Sequence, residues 1–415
     1  MLLKTILNDR YKFKSFIYGS IFFNRDEKEI IVEIVPRKNG KAVCTGCRAN
    51  APLYDKLETR HFEFIPLWGI KVFFRYGMRR VNCKTCGVKV EKVPWATGKN
   101  TLTLPFILIL SNWAKSLSWK ETAQRFRISW EKVFNAVEYT VNWGLRNRDL
   151  SNILSIGIDE ISWGVGHAYL TLVYQIDDGL KRLLWVEGGR TVKTMLRFFQ
   201  FFGKERARKL KHVCSDMWKP YLKVIKKKAS QAIHILDRFH IIQKMNKAID
   251  EVRAEEHRNL INDGREPVLK KSRWLLLKRW ENLSENQEAK LSDLLKYNLK
   301  SIRAYLLKED FDALWSYISP GWAGKFIDRW TTMCMKSRIG PMKKIAKMIR
   351  SHKPLILNWF KAKGMVSGGV VEGLNNKIKV TMKKAYGFRT LKCIKIALYH
   401  TSGVLPEHEL THRFC

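Results

Sequence analysis

From Ser155 onward the chain changes to strand periodicity, and the order of the elements beyond that point admits few folds. The runs "SIGIDEISWG", "HAYLTLVYQI" and "KRLLWVEGG" are short and apolar or alternating. Asp177-Asp178-Gly179 joins the second to the third as a hairpin turn. A helix-like segment comes next ("TVKTMLRFFQFFG"), then a strand ("HVCSD"), a helix ("WKPYLKVIKKKA"), a strand ("AIHILD") and a long helical run beginning "RFHIIQKMNKAIDEVR". Three antiparallel strands followed by strands alternating with helices is the order of an α/β sheet of RNase H-like type. In such a sheet, carboxylates at strand ends are where chemistry is expected.

Three acids stand out by position. Asp159 lies in the first strand and Asp216 ends the fourth. Glu372 sits early in "GGVVEGLNNKIKVTMKKAYGF" (368–388), which reads as a basic helix stopping at Gly387. Two divalent ions need hard oxygen ligands converging from separate elements, and two strand aspartates with a helix glutamate meet that need. Each acid alone has a plainer reading. Asp159 and Glu160 could form a solvated edge, Asp216 could cap the next helix, and Glu372 could be an acid favoured by the helix dipole. Only their joint placement favours a site. Asp177, Asp178, Glu187 and Asp250 read as turn or surface residues.

On the basic helix Glu372 and Asn376 are four apart, and Lys379 and Lys383 continue that stripe. One face can therefore present a metal ligand first and phosphate-binding lysines after it. Lys377, Lys384 and Arg389 complete the candidate DNA-contacting set. Asn375 and Asn376 stay open between orienting the carboxylate, touching DNA and packing.

Charge points to the same partner. The 77 Lys and Arg against 38 Asp and Glu give +39, spread along the chain, so a large polyanion is the natural partner and nucleic acid the first candidate. The longest apolar run, Leu104 to Leu110, is too short to span a bilayer, and "MLLKTILNDRYKFK" breaks into charge before a signal core develops. The expectation is a cytoplasmic, soluble protein with no membrane partner.

Four of the eight cysteines form two C-x-x-C pairs, Cys44/Cys47 and Cys83/Cys86, 35 residues apart. Each short loop can turn two sulfurs toward one ion, the shape of a tetrahedral zinc site, with a redox pair or unrelated thiols as the alternatives. Between the pairs, Val72, Phe74, Tyr76 and Met78 alternate with Lys71, Phe73, Arg75 and Arg79, a strand with one largely basic face. Zinc would then staple a small β-rich module over 1–97.

Within a region over 98–150, Thr101 to Trp143 reads as helical. Ser118 and Glu121 form a capping box, a break falls at Arg127 to Ser129, and Val133, Val137 and Val141 line the next helix. In a basic chain this suggests a helix-turn-helix, although the turn carries Arg127 where glycine is usual, and a plain helical hairpin fits as well. Between Asp237 and Glu372 lie 134 residues, too many for a loop. Their pattern predicts a helical insertion over 253–353, dividing the α/β core into 151–252 and 354–415. Its tryptophans (Trp274, Trp280, Trp315, Trp322, Trp330) read chiefly as core, with base stacking as the alternative.

The chain resembles the DDE transposases of the ISL-three group of bacterial insertion sequences. The likeness runs from the cysteine pairs to about His400, through "CTGC", "IPLWG", "RRVNCKTCG", "IGIDE", "GGRTVKTM", "SDMWKPY", "DRFHIIQKMNKAIDEVR" and "VEGLNNKIKVTMKKAYGFRT". It implies an RNase H-like core carrying a triad at Asp159, Asp216 and Glu372, two Mg²⁺ (or Mn²⁺) ions, one structural Zn²⁺, and a homodimer or higher oligomer on DNA. It also implies a bacterial, nucleoid-associated protein that binds terminal inverted repeats, cleaves there and transfers strands into target DNA. Asp237 in "DRFH" matches another family position and is a candidate support for the site, with helix capping as the alternative. One departure is Gly368-Gly369, where the family leads one to expect Asn-Gly before the glutamate segment. A DNA-binding regulator without activity and a structure-specific nuclease of the same fold are the competing expectations.

Overall fold

The computed structural model describes residues 3–164, 166, 168–362, 368–385 and 387–411; Cys415 and the end of the C-terminal segment lie outside them. The chain divides into two compact units, Met1–Arg148 with Tyr399–Thr401 and Leu405–Cys415, and Asp149–Leu398 with Ser402–Val404.

In the first unit, α1 (Leu3–Arg10) precedes a sheet of β1 (Phe16–Asn24), β2 (Glu29–Pro36), β3 (Leu53–Leu67), β4 (Ile70–Cys83) and β5 (Gly87–Val90). The order is β1-β2-β4-β3, with β5 also paired to β4. Alternation along β4 builds the core: Val72, Phe74, Tyr76 and Met78 are at most 4% exposed, and the basic positions between them are not buried. Trp95 is buried among Phe16 and Tyr76, edge-on to both rings.

Three helices follow, α2 (Leu104–Ser116), α3 (Trp119–Phe126) and α4 (Trp130–Asn147). The capping box forms: Ser118 Oγ accepts from the Glu121 amide at 3.2 Å, and the Glu121 carboxylate accepts from the Ser118 amide at 2.7 Å. Arg127 closes α3 at φ +53°, so a left-handed turn usually given to glycine is made by arginine. The apolar run "LPFILIL" is the buried start of α2, and no helix among the described residues is long and apolar enough to cross a membrane.

The second unit begins with β6 (Ser155–Ser162), β7 (Tyr169–Asp177) and β8 (Leu180–Gly188), an antiparallel meander. Asp177 pairs with Leu180 across a two-residue turn whose Gly179 has φ +86°. Then come α5 (Val192–Phe202), α6 (Lys204–Lys209), β9 (His212–Ser215), α7 (Lys219–Lys228) and β10 (Ile233–Leu236). The sheet order is β10-β9-β6-β7-β8, with β9 parallel to β6 and β10 parallel to β9. Phe198, Phe202, Tyr221 and Ile225 from α5 and α7 pack with Ile156, Ile158 and Val213 of the strands.

A helical region comes after the sheet: α8 (Arg238–Asn262), α9 (Arg273–Leu277), α10 (Glu285–Leu295), α11 (Lys300–Asp312), α12 (Pro320–Lys336) and α13 (Gly340–Lys361). The borders expected at 252/253 and 353/354 fall inside α8 and α13. Buried positions run through both (Ile249 and Val252, Ile349 and Ile356), so the helical register has no reason to break there. These helices share one hydrophobic cluster with Met217 and Leu236 beside the sheet. Trp330 is fully buried, its indole N–H donating to Leu307 O at 2.8 Å, and Trp280 and Trp315 pack against the same cluster. Trp274 and Trp322 are exposed.

The last helices are α14 (Gly368–Lys384) and α15 (Leu391–Ser402), and α14 packs on β6, β7 and α8. Gly157 of β6 makes this contact possible, because a Cβ there would overlap Val371 Cγ2. Gly157→Ala is expected to destabilise the protein by about 1–3 kcal/mol through this overpacking. A urea unfolding midpoint equal to wild type would contradict that account.

Candidate functional site

Register places the first three acids. Ile158 pairs with Ser215, and Ser215 pairs with Leu236, across parallel strands. Asp159, Asp216 and Asp237 are the next residues on β6 and just past β9 and β10, so they stand at one level on three adjacent strands about 4.8 Å apart. This is the carboxyl end of the parallel part of the sheet. Asp237 also caps α8: its carboxylate accepts from the Phe239 amide at 2.9 Å, while its own amide donates to Ser215 O at 2.9 Å. Capping and membership of the acidic row are therefore both true of Asp237.

Glu372 is half-buried near the start of α14, and its charge acts on Asp237. The carboxylates of Asp159, Asp216 and Glu372 do not all lie within 4.8 Å of one another; among the described residues only the four cysteines form so close a group. Of the two asparagines, Asn375 is buried and donates its side-chain amide to Asp159 Oδ2, whereas Asn376 is exposed. Tyr174 of β7 in turn donates to Asn375 Oδ1 at 2.5 Å. The residue that orients Asp159 from the helix is thus Asn375, and the expected Glu372–Asn376 stripe carries no such contact. Lys377, Lys379, Lys383 and Arg389 are exposed, and Lys384 is half-buried.

Three further groups join the site, His240, Glu160 and Arg190, none of them assigned to it from the sequence. His240, one turn into α8, places Nε2 at 3.7 Å from Asp159 Oδ1 and 4.0 Å from Asp237 Oδ2. Burial opposes its charged form, but the carboxylates of Asp159, Asp237 and Asp216 outweigh burial and raise its pKa to about 9. Glu160 is no solvated edge: its side chain is 11% exposed, and burial together with the Asp216 charge raises its pKa to about 7, with Arg190 at 3.6 Å offsetting part. Burial likewise raises Asp216 and Asp237 above the usual carboxylate range. The signals lay in the family motifs, His240 three residues after Asp237 in "DRFH" and Arg190 in "GGRTVKTM".

In the first unit the four thiols of Cys44, Cys47, Cys83 and Cys86 lie within 4.8 Å of one another, with Cys47 Sγ and Cys83 Sγ 3.3 Å apart. Both knuckles turn alike, since the residue after each second cysteine, Arg48 or Gly87, is left-handed. The Gly46 amide donates to Cys44 Sγ at 3.3 Å, and a Cβ on Gly46 would meet Cys86 Sγ at 2.8 Å. The amide of Cys86, the Cys47 thiol and the amide of Thr85 favour the Cys83 thiolate and lower its pKa.

A family model described as a transposase matches residues 156–398. The chain is 30% identical over 413 residues to the transposase for insertion sequence element IS1557 of Mycobacterium tuberculosis, covering 92% of this chain and 90% of that protein. It is 28% identical over 350 residues to the transposase for insertion sequence element IS1001 of Bordetella parapertussis, covering 84% and 85%. The chain belongs to the ISL-three group of DDE transposases.

His240 ties the site to pH. Its folded pKa lies above the unfolded value of 6.5, so in metal-free protein its contribution to stability is complete below pH 6.5 and is lost as pH rises through about 9. Urea midpoints of metal-free protein should fall across that window, and His240→Gln should flatten this fall. A variant with the wild-type pH dependence would refute it.

Proposed function

We propose that this transposase binds the terminal inverted repeats of an insertion sequence and performs metal-dependent DNA cleavage and strand transfer on an RNase H-like core. The single observation that carries the reading is the alignment of Asp159, Asp216 and Asp237 at one level on adjacent parallel strands, with Glu372 on a helix packed against β6, β7 and α8. The strand order, an antiparallel meander extended by two parallel strands, supports the RNase H-like assignment.

The donor set fits hard divalent cations. Its ligands are carboxylates from separate elements, held close enough that burial and mutual charge raise the pKa values of Asp216 and Asp237. Asp159, Asp216 and Glu372 would hold two Mg²⁺ ions, with Mn²⁺ a substitute, and Asp237 supports them. Bound there, the ions supply activation of the attacking oxygen and neutralisation of charge on the leaving one. The protein's own share is positioning: Asn375 fixes one oxygen of Asp159, and the Trp218 amide fixes Asp216 Oδ1 at 3.0 Å. Water is the first nucleophile, and the freed 3′-hydroxyl is the second, attacking target DNA without a covalent protein intermediate.

Lys377, Lys379, Lys383, Lys384 and Arg389 lie on or just past α14, the helix that carries Glu372, and would bind phosphates in a salt-sensitive way. The first unit would recognise the inverted repeats. There the α3–α4 pair acts as a helix-turn-helix and one Zn²⁺ is held by the four cysteines. Joining two ends requires at least a dimer on DNA.

Labelled duplexes carrying the repeats that flank the coding region, incubated with Mg²⁺, test this reading. Wild type should cut and join them, while Asp159→Asn, Asp216→Asn and Glu372→Gln should fall to background and keep DNA affinity. Cutting without joining would favour a structure-specific nuclease, and binding alone would favour a regulator. Metal analysis of purified protein should find about one zinc per chain, lost when Cys44 and Cys83 are changed to Ser; zinc retained by that variant would rule the thiol site out.

A further inference from the structure

Two strand-end aspartates are followed by the same short device. Asp216 Oδ1 accepts from the amide of Trp218 at 3.0 Å, and Asp237 Oδ1 accepts from the amide of Phe239 at 2.9 Å. Both are Asp-x-aromatic turns that follow adjacent parallel strands in register, so the two aromatic residues stand at matching positions, each two past an acid of the site. Both rings stay open to solvent, Trp218 at 38% and Phe239 at 43%. Their packing is partial: Phe239 meets the His240 ring edge-on at 5.6 Å, and Trp218 lies against Arg190.

Trp218 is also held firmly. Its indole N–H donates to Arg190 O at 3.3 Å, and the Arg190 guanidinium lies 5.2 Å from its ring. The same guanidinium lies 3.9 Å from the Tyr169 ring, and Glu160 pairs with it at 3.6 Å. The Arg190 loop is fastened in turn by Gly189, whose amide donates to Tyr169 O at 2.7 Å and whose carbonyl accepts from Thr171 Oγ1 at 2.6 Å. Arg190 thus contacts both Tyr169 and Trp218, while Trp218 keeps part of its surface open to solvent. Lys219 and Arg238, next to the two aromatics in sequence, are exposed cations.

We propose that Trp218 and Phe239 form a stacking platform for one or two unpaired bases bordering the scissile phosphate, so that the DNA end opens locally before it is cut. An anionic backbone met by Lys219 and Arg238, with flat apolar faces beside the acids, is the pattern that suits an unstacked nucleotide. Such stacking tolerates any base, because every base has a π-face. The proposal rests on the transposase reading above, and it makes Trp218 and Phe239 positioning residues rather than catalytic ones.

The test uses full-length protein and a duplex carrying the flanking inverted repeat, with 2-aminopurine at the first position outside the repeat. In Ca²⁺, which allows binding, wild type should change the 2-aminopurine fluorescence. Trp218→Ala should abolish that change and Trp218→Phe should restore most of it. In Mg²⁺, Trp218→Ala should slow cutting of a fully paired end roughly 10- to 100-fold. On an end already mismatched at the terminal pairs, the loss should shrink to about threefold or less. Phe239→Ala should behave in the same direction. Equal losses on paired and mismatched ends, or an unchanged fluorescence response in both alanine variants, would overturn the proposal. Failure of the transposase reading is told apart by the wild type, which would then bind but not cut, while the Ca²⁺ fluorescence arm still decides whether the aromatics engage a base.

Discussion

The parallel pairing of β6, β9 and β10 is the constraint on which the site depends. One register brings Ile158, Ser215 and Leu236 level, and the next residue on each strand is an aspartate. Like charges this close repel, and burial raises the pKa values of Asp216 and Asp237 further. The fold answers with donors: backbone amides at Trp218 and Phe239, the Asn375 amide, and the His240 imidazole between Asp159 and Asp237. A slip of one residue in any pairing would turn that strand's acid to the other face, so register and chemistry are inseparable here.

The second dependence is the approach of α14. Glycine at 157 lets Val371 lie against β6, and the next turn of helix sets Asn375 between Tyr174 and Asp159. A polar chain of tyrosine, asparagine and aspartate thus fastens the basic helix to the strand that carries the first acid. Buried polar groups of this kind are costly unless each has its partner, and here each finds one. The helix that carries Glu372 among lysines is therefore positioned by apolar contact and by hydrogen bonding together.

The first unit obeys a different logic. Its sheet closes over an aromatic core around Trp95, and the cysteine knuckles gather at the end of β4 and the start of β5. Left-handed residues after each knuckle, and the Gly46 amide on Cys44 Sγ, accompany the turn of the thiols toward one another.

The sequence by itself determined the strand and helix order from Ser155 to the start of α8, the two cysteine knuckles, the capping box at Ser118 and the three acids. These depend on local rules of periodicity, spacing and capping, which act within a few residues. It also showed membership in a transposase family through motifs that survive in order. Tertiary structure alone decided that Asn375 and not Asn376 holds Asp159, that the Glu160 side chain is largely turned from solvent, and that His240, Tyr174 and Arg190 share the site. It decided too that the helical region continues from α8 and α13. The physical reason is separation: the Asn375–Asp159 contact joins residues 216 apart, and local pattern cannot tell which of two neighbouring amides a helix will turn inward until its packing face is fixed.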